Sequence, residues 1–319
     1  RSSAASDVYK RQKVTLPSIL GDNMVLQQQA EVKLWGKARP NATVTVKTSW
    51  NGQTYKFSSD GKGGWSLTVS TPVAGGPYKI IFNDGELLTL QNVLIGEVWF
   101  CSGQSNMEMP MGCFDRQPVR GANDIIAKAK PSTPIRMYTT DSKDGRWVRQ
   151  FSKTPAEDCQ GEWLENTPVN VSHISAVSYY FARYIQEVLE VPVGIVVSTW
   201  GGSRIEAWMS RESIKPFSSI DLSILDNDAE VKNPTATPCV LYNGKIAPLT
   251  NFAVRGFLWY QGESNRDNAD LYQSLMPAFV ADLRAKWGRG ELPFYFVQIA
   301  PFDYEGADGT SAALSLIHI

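Results

Sequence analysis

The sequence predicts a small antiparallel β-sandwich followed by a doubly wound α/β domain built on a parallel sheet. Three observations carry this expectation. Short strands of alternating polarity fill residues 13–95, wholly apolar strands alternate with helices after Gly96, and a polar turn follows each of three of those strands. A chain of 319 residues has room for two domains of ordinary size.

The first region shows its strands by polarity with a period of two. Glu31-Val32-Lys33-Leu34-Trp35, Thr43-Val44-Thr45-Val46-Lys47 and Trp65-Ser66-Leu67-Thr68-Val69 each alternate, as strands with one buried face do. Turn formers at Pro40-Asn41, Asn51-Gly52, Asp60-Gly61 and Gly75-Gly76-Pro77 separate them, which suggests a sandwich. Past Gly96 the pattern changes. Val98-Trp99-Phe100-Cys101 reads as a short apolar strand, Val193 to Ser198 as a buried one, and Val254 to Tyr260 and Phe294 to Ala300 as two further strands. Between them lies a helix capped by Ser175, with apolar Ala176, Val177, Tyr180, Phe181, Tyr184, Ile185, Val188 and Leu189 at helical spacing. A later helix carries Leu271, Leu275, Phe279 and Leu283 on one face, stops at Gly288, and should kink at Pro277.

Composition excludes several classes of function. Thirty-one basic and thirty-two acidic side chains leave a net charge of -1, which argues against nucleic acid or an anionic membrane as principal partner. No apolar run is long enough to span a bilayer, and the first twenty residues lack the apolar stretch of a signal peptide. Cys101, Cys113, Cys159 and Cys239 form no C-x-x-C pair and the chain has two histidines, so a zinc site is not expected. Cys113 and Cys159 are a candidate disulfide in an oxidising compartment, and buried thiols are the ordinary alternative.

Three polar turns follow apolar strands, at Gly103 to Met107, Gly201 to Arg204 and Gln261 to Asn265. In a parallel sheet they meet at the carboxyl edge, where such folds bind ligands. Ester hydrolysis needs a nucleophile, a base and donors aimed at the developing oxyanion. Ser105 supplies a hydroxyl, Gly201 and Gly202 supply unshielded backbone N–H groups, and Gln261 and Asn265 supply side-chain amides. Taken singly, each has a plainer reading. Ser105 is equally a helix cap, Gly201-Gly202 a turn, and the two amides partners for strand-end backbone. The chain has neither a G-x-S-x-G elbow nor a P-loop.

The turns in combination, with their flanks, resemble a known family. Gly96-Glu97-Val98-Trp99-Phe100-Cys101-Ser102-Gly103-Gln104-Ser105-Asn106-Met107-Glu108, Ser198-Thr199-Trp200-Gly201-Gly202-Ser203-Arg204-Ile205-Glu206-Ala207-Trp208 and Leu258-Trp259-Tyr260-Gln261-Gly262-Glu263-Ser264-Asn265 are similar, in order, to the blocks of the sialate O-acetylesterases, a branch of the SGNH hydrolases. Asp22-Asn23-Met24-Val25-Leu26-Gln27 matches the β region that opens many members. The resemblance implies a serine esterase that removes O-acetyl groups from sugars without metal or cofactor. It implies Ser105 as nucleophile and N–H donor, Gly201 or Gly202 as a second donor, and Gln261 or Asn265 as a third, with Gln261 favoured. Arg204 and Glu206 are candidate substrate contacts or an internal ion pair. The expected partner is an acetylated carbohydrate, either 9-O-acetylated sialic acid or a plant polysaccharide such as xylan. A non-catalytic glycan-binding protein and an SGNH lipase or thioesterase are the alternatives.

The family carries its base in a late Asp-x-x-His block, which is not seen here. His173 is preceded at the third position by Asn170 and His318 by Ser315. Residues 1–12 and 311–319 resemble translated sequencing-adaptor read-through. The expected organisation is therefore a non-native leader at 1–12, a β-sandwich at 13–95, an incomplete esterase domain at 96–310 and a non-native tail at 311–319. A periplasmic or secreted location is expected for the full-length parent. Without an imidazole beside it, the Ser105 hydroxyl is a poor nucleophile. The 319-residue polypeptide is accordingly expected to show little esterase activity and poor solubility; robust Ser105-dependent turnover of p-nitrophenyl acetate by this chain would contradict that.

Overall fold

The computed structural model describes residues 14–299 except 116, 144 and 145, with backbone alone at 146 and 147. His318 and the expected leader and tail lie outside the described residues. The first strands are β1 (Val25–Gln27), β2 (Glu31–Lys37), β3 (Thr43–Thr48), β4 (Thr54–Ser58), β5 (Gly64–Ser70), β6 (Gly75–Asn83) and β7 (Leu87–Gly103). β2 pairs antiparallel with β5, while β4, β3, β6 and the first half of β7 form an antiparallel run. The period of two works as expected: β3 buries Val44 and Val46 and leaves Thr43 and Lys47 exposed. Val32, Leu34 and Val69 from one pair join Val44, Val46, Ile80 and Phe82 from the other in one apolar core.

The remaining strands are β8 (Ile135–Thr139), β9 (Ser142–Lys143), β10 (Arg146–Trp147), β11 (Glu162–Glu165), β12 (Val193–Thr199), β13 (Gly256–Tyr260) and β14 (Phe294–Phe296). They are interspersed with helices α1 (Ser105–Glu108), α2 (Ala122–Lys128), α3 (Pro168–His173), α4 (Ala176–Leu189), α5 (Arg211–Ile214) and α6 (Ala269–Trp287). The sheet runs β11-β8-β12-β7-β13-β14, parallel throughout except for β11 at one edge. β7 is 17 residues long, so one strand passes from the antiparallel region into the centre of the parallel one.

β8, β12, β13 and the second half of β7 are buried on both faces, and alternate residues enter different cores, whereas the edge strand β14 leaves Tyr295 and Phe296 exposed. Trp99, Cys101, Ile195, Val197 and Leu258 pack with Ala176, Tyr179 and Ala182 of α4. Phe100, Val196, Phe257 and Trp259 pack with Tyr272, Leu275, Phe279 and Leu283 of α6. The Trp259 and Phe279 rings lie 4.5 Å apart. Burying a side chain of this size contributes roughly 1.5–3 kcal/mol, so helices on both faces hold the sheet.

One expectation for the helices needs amending, that for α4. α4 is capped by Ser175, whose hydroxyl accepts the Ser178 N–H at 3.2 Å. Its most buried face carries Ala176, Tyr179 and Ala182, with Val177, Phe181 and Ile185 partly buried against the same core. Tyr180, Tyr184 and Val188, one turn apart, are left exposed instead. α6 runs unbroken through Pro277 to the left-handed cap at Gly288.

Gly103 closes β7 at φ 149°, and a Cβ there would lie 2.0 Å from the Tyr260 carbonyl oxygen. Gly103→Ala is expected to destabilise the fold by roughly 3 kcal/mol through strain and overpacking. Urea denaturation reads the effect as a lowered midpoint.

Candidate active site

β12, β7 and β13 are adjacent and parallel, so their following turns emerge together. Side chains and backbone then lace the turns into one unit. Gln104 N–H donates to the Tyr260 carbonyl at 3.0 Å, and its Oε1 accepts the N–H groups of Gly262 and Ser264 at 3.2 and 3.1 Å. Trp200 N–H donates to the Gly103 carbonyl at 3.1 Å. Gln261 Nε2 donates to the Ser203 carbonyl at 3.0 Å and to Asn265 Oδ1 at 2.7 Å. Asn265 Oδ1 also accepts the Ile205 N–H at 3.0 Å, and its Nδ2 donates to Glu206 at 2.8 Å. Gln261 and Asn265 are therefore fully buried ties between the second and third turns, with these donors turned to protein acceptors.

Ser105 opens α1 and is half-buried. Gln104, not Ser105, occupies the cap position, and the Ser105 hydroxyl makes no hydrogen bond among the described residues. Its backbone N–H and that of Gly202 also have no partner there. Gly201 lies against it: a Cβ on Gly201 would be 3.6 Å from Ser105 Cβ and 2.8 Å from Glu108 Oε2. Gly202 has φ 71°, where a side chain is disfavoured. Gly201 thus fits against Glu108 beside Ser105 because it lacks a side chain, and Gly202 serves the turn through its backbone conformation. Cys101, four residues earlier on β7, is no rival nucleophile, since burial pushes its thiol up to about 12.

A buried charge network underlies the second turn. Lys245, fully buried in the π-helical turn Tyr242–Ile246, is paired with Asp141 and donates to the Thr199 carbonyl at 2.7 Å. Asp141 Oδ2 accepts the Thr199 hydroxyl and N–H at 2.8 and 3.2 Å. Arg149 is paired with Glu108, and Glu108 in turn accepts the Gly201 N–H. The Arg149 guanidinium stands 4.9 Å and Lys245 Nζ 5.6 Å from the centre of the Trp200 ring. Thr199, Trp200 and Gly201 are therefore each gripped by a buried ion pair or its cation. On the other side, Asn106 Nδ2 donates to Glu263 at 2.5 Å, and the second Glu263 oxygen is buried without a partner among the described residues. Burial, and then the Glu263 charge, raise the nearby Tyr260 hydroxyl above its ordinary value.

Arg204 lies 3.8 Å from Glu206 and 3.0 Å from Asp267, the internal pairing anticipated as one reading of that residue. All four cysteines are free, Cys113 included, so no Cys113–Cys159 disulfide is present. Sequence reasoning passed over Gln104, Glu108, Asp141, Arg149, Lys245 and Glu263. Gln104, Glu108 and Glu263 lay inside the quoted blocks and were visible as buried-polar candidates; Asp141, Arg149 and Lys245 stand in no motif.

A parallel sheet thus carries a half-buried serine among three laced turns at its carboxyl edge. Residues 95–315 match the family described as carbohydrate esterase, sialic acid-specific acetylesterase. The chain belongs to this family. It is 31% identical over 309 residues to the sialate O-acetylesterases of Homo sapiens and of Pongo abelii, alignments that take in 89% of this chain and 56% of each relative. It also resembles the crystal structure of a carbohydrate acetylesterase from Xanthomonas citri, with TM-score 0.77 and 34% identity over 90% of this chain and 60% of that one. The chain thus spans a little over half the length of the curated relatives it matches.

Removing one member of a buried pair strands the other charge. Asp141→Asn and Lys245→Met are each expected to cost about 3–5 kcal/mol, and the double variant to recover most of that loss. A urea-denaturation double-mutant cycle measures the coupling.

Proposed function

We propose that this chain carries the acyl-transfer site of a serine esterase that hydrolyses O-acetyl esters on sugars. The observation that carries the reading is the Ser105 hydroxyl at the junction of three turns, without a hydrogen bond among the described residues, beside Ser105 and Gly202 N–H groups that also lack a partner there. In the reaction, Ser105 Oγ attacks the acetyl carbonyl carbon and its proton passes to a base. The oxyanion forms against the two N–H groups, the sugar leaves as its alcohol, and water releases acetate from the acyl-enzyme. The family resemblance expects the base to be an imidazole from an Asp-x-x-His block. Gln261 and Asn265 serve in this reading as struts that set the second turn, and Arg204 and Glu206 brace the same turn from outside. Gly201 adds close approach, its N–H being held by Glu108.

The domain reading that goes with this function assigns residues 13–95 to a small β-sandwich and 96–310 to the esterase unit. In a protein that carries this chain together with an Asp-x-x-His block, Ser105→Ala is expected to lower kcat/KM on p-nitrophenyl acetate by about 10⁴. Release of acetate from acetylated sialic acid and acetyl-xylan is followed in parallel. Activity that survives the substitution would remove Ser105 from the reaction, and absence of any turnover before the substitution would leave a glycan-binding protein.

A further inference from the structure

Behind the second turn, on the side away from α6, lies a cavity of about 650 Å³ between the ends of β8 and β12, strand β11 and helix α3. Glu108 forms part of its wall, and the same carboxylate holds Gly201 beside Ser105. The cavity therefore abuts the turn that carries Gly201 beside Ser105.

Its lining is rich in acceptors. Glu162 contributes a carboxylate and Asn170 an amide, while the lining carboxylates of Glu108 and Asp141 are engaged by Arg149 and Gly201 and by Lys245 and Thr199. Glu162 has one oxygen approached by the Ser142 hydroxyl at 3.5 Å, and its other oxygen has no protein partner among the described residues. Asn170 uses Nδ2 on the Glu165 carbonyl at 2.8 Å, which leaves Oδ1 without a protein donor there. Leu164 and Val169 add apolar wall, Val169 at 70% exposure. No lysine or arginine lines the cavity among the described residues, and His173 is the one lining side chain able to carry positive charge. The neighbouring Arg149 is engaged by Glu108 and stacked on Trp200.

We propose that this cavity is a subsite for a neutral pyranose chain, and that the acetyl esters cleaved at Ser105 are borne by neutral rather than acidic glycans. The proposal rests on the esterase reading above. Sugar hydroxyls are donors, and they meet the open oxygen of Glu162 and the open amide oxygen of Asn170; the C–H faces of the rings meet Leu164 and Val169. A sialic acid would bring its own carboxylate against Glu162 without a lysine or arginine to receive it, and like charges brought together weaken binding.

Binding of unacetylated xylohexaose and of N-acetylneuraminic acid to the 319-residue chain, each titrated by calorimetry and saturation-transfer NMR, tests this. Neither probe carries a cleavable ester, so the result is independent of turnover. Xylohexaose is expected to bind, and N-acetylneuraminic acid to bind at least about tenfold more weakly. Val169→Trp, which fills the cavity from an exposed position, should weaken xylohexaose by at least about tenfold with an unchanged thermal unfolding profile. Glu162→Lys should shift the preference toward N-acetylneuraminic acid. Absent xylohexaose binding, binding indifferent to Val169→Trp, or equal affinity for the two probes would overturn the proposal. Such a result would leave the role of Ser105 standing, and loss of that role would leave a measured sugar subsite standing.

Discussion

The rest of the structure depends on two points where backbone meets backbone along β7. At Gly96 a Cβ would lie 1.9 Å from the Pro192 carbonyl oxygen, and at Gly103 it would lie 2.0 Å from that of Tyr260. Between them β7 runs with β12 on one side and β13 on the other, hydrogen-bonded to both. Any side chain at either glycine would push a neighbour away and change where the following turns emerge. Close approach at Gly103 also sets Gln104 against Tyr260, and through Gln104 the first turn holds the third. Strand order alone would put three turns at one edge. The glycines bring them within hydrogen-bond reach of each other.

The charges beneath the second turn solve a second problem. A turn that ends in Gly201-Gly202 has little side-chain packing to hold it, and glycine loses more conformational freedom on ordering than any other residue. Asp141 and Lys245 fix Thr199, Arg149 and Lys245 flank Trp200, and Glu108 fixes Gly201. A carboxylate so close to a developing oxyanion would be unfavourable if it were bare. Arg149 neutralises Glu108, so the pair presents a dipole to the site and not a free charge. The network is costly to bury and is tolerated because each of its charges meets a partner.

The α/β class was legible because strands buried on both faces read as apolar runs, and Trp99, Phe100, Ile195, Val196, Phe257 and Leu258 all do. The convergence of Ser105, Gly201 and Gln261 was legible from the same pattern, since turns after parallel neighbours share an edge. The orientation of Gln261 and Asn265 was not. An amide can face the site or the protein equally well by composition, and their burial against Ser203 and Glu206 is decided by tertiary packing. α4 misled for a related reason. Its sequence carries more apolar residues than one face can bury, and the small Ala176 and Ala182 pack closer to the sheet than the larger Tyr180 or Tyr184 could. Asp141 and Lys245 lie 104 positions apart, so nothing local marks them as a pair.

Glu108 joins the two halves of the functional picture. It must be anionic to hold the Gly201 N–H strongly, because a charge-assisted hydrogen bond is roughly twice as strong as a neutral one. The same carboxylate forms wall in the cavity behind the turn, together with Asp141, which is anionic for the sake of Lys245 and Thr199. Both acids are placed by the needs of the second turn and not by those of a sugar. Arg149 and Lys245 neutralise them, so neither acid presents a free charge to a ligand entering that cavity. The carboxylate left to set the sign of the space is Glu162, which lies outside the network and favours ligands that donate hydrogen bonds and carry no negative charge.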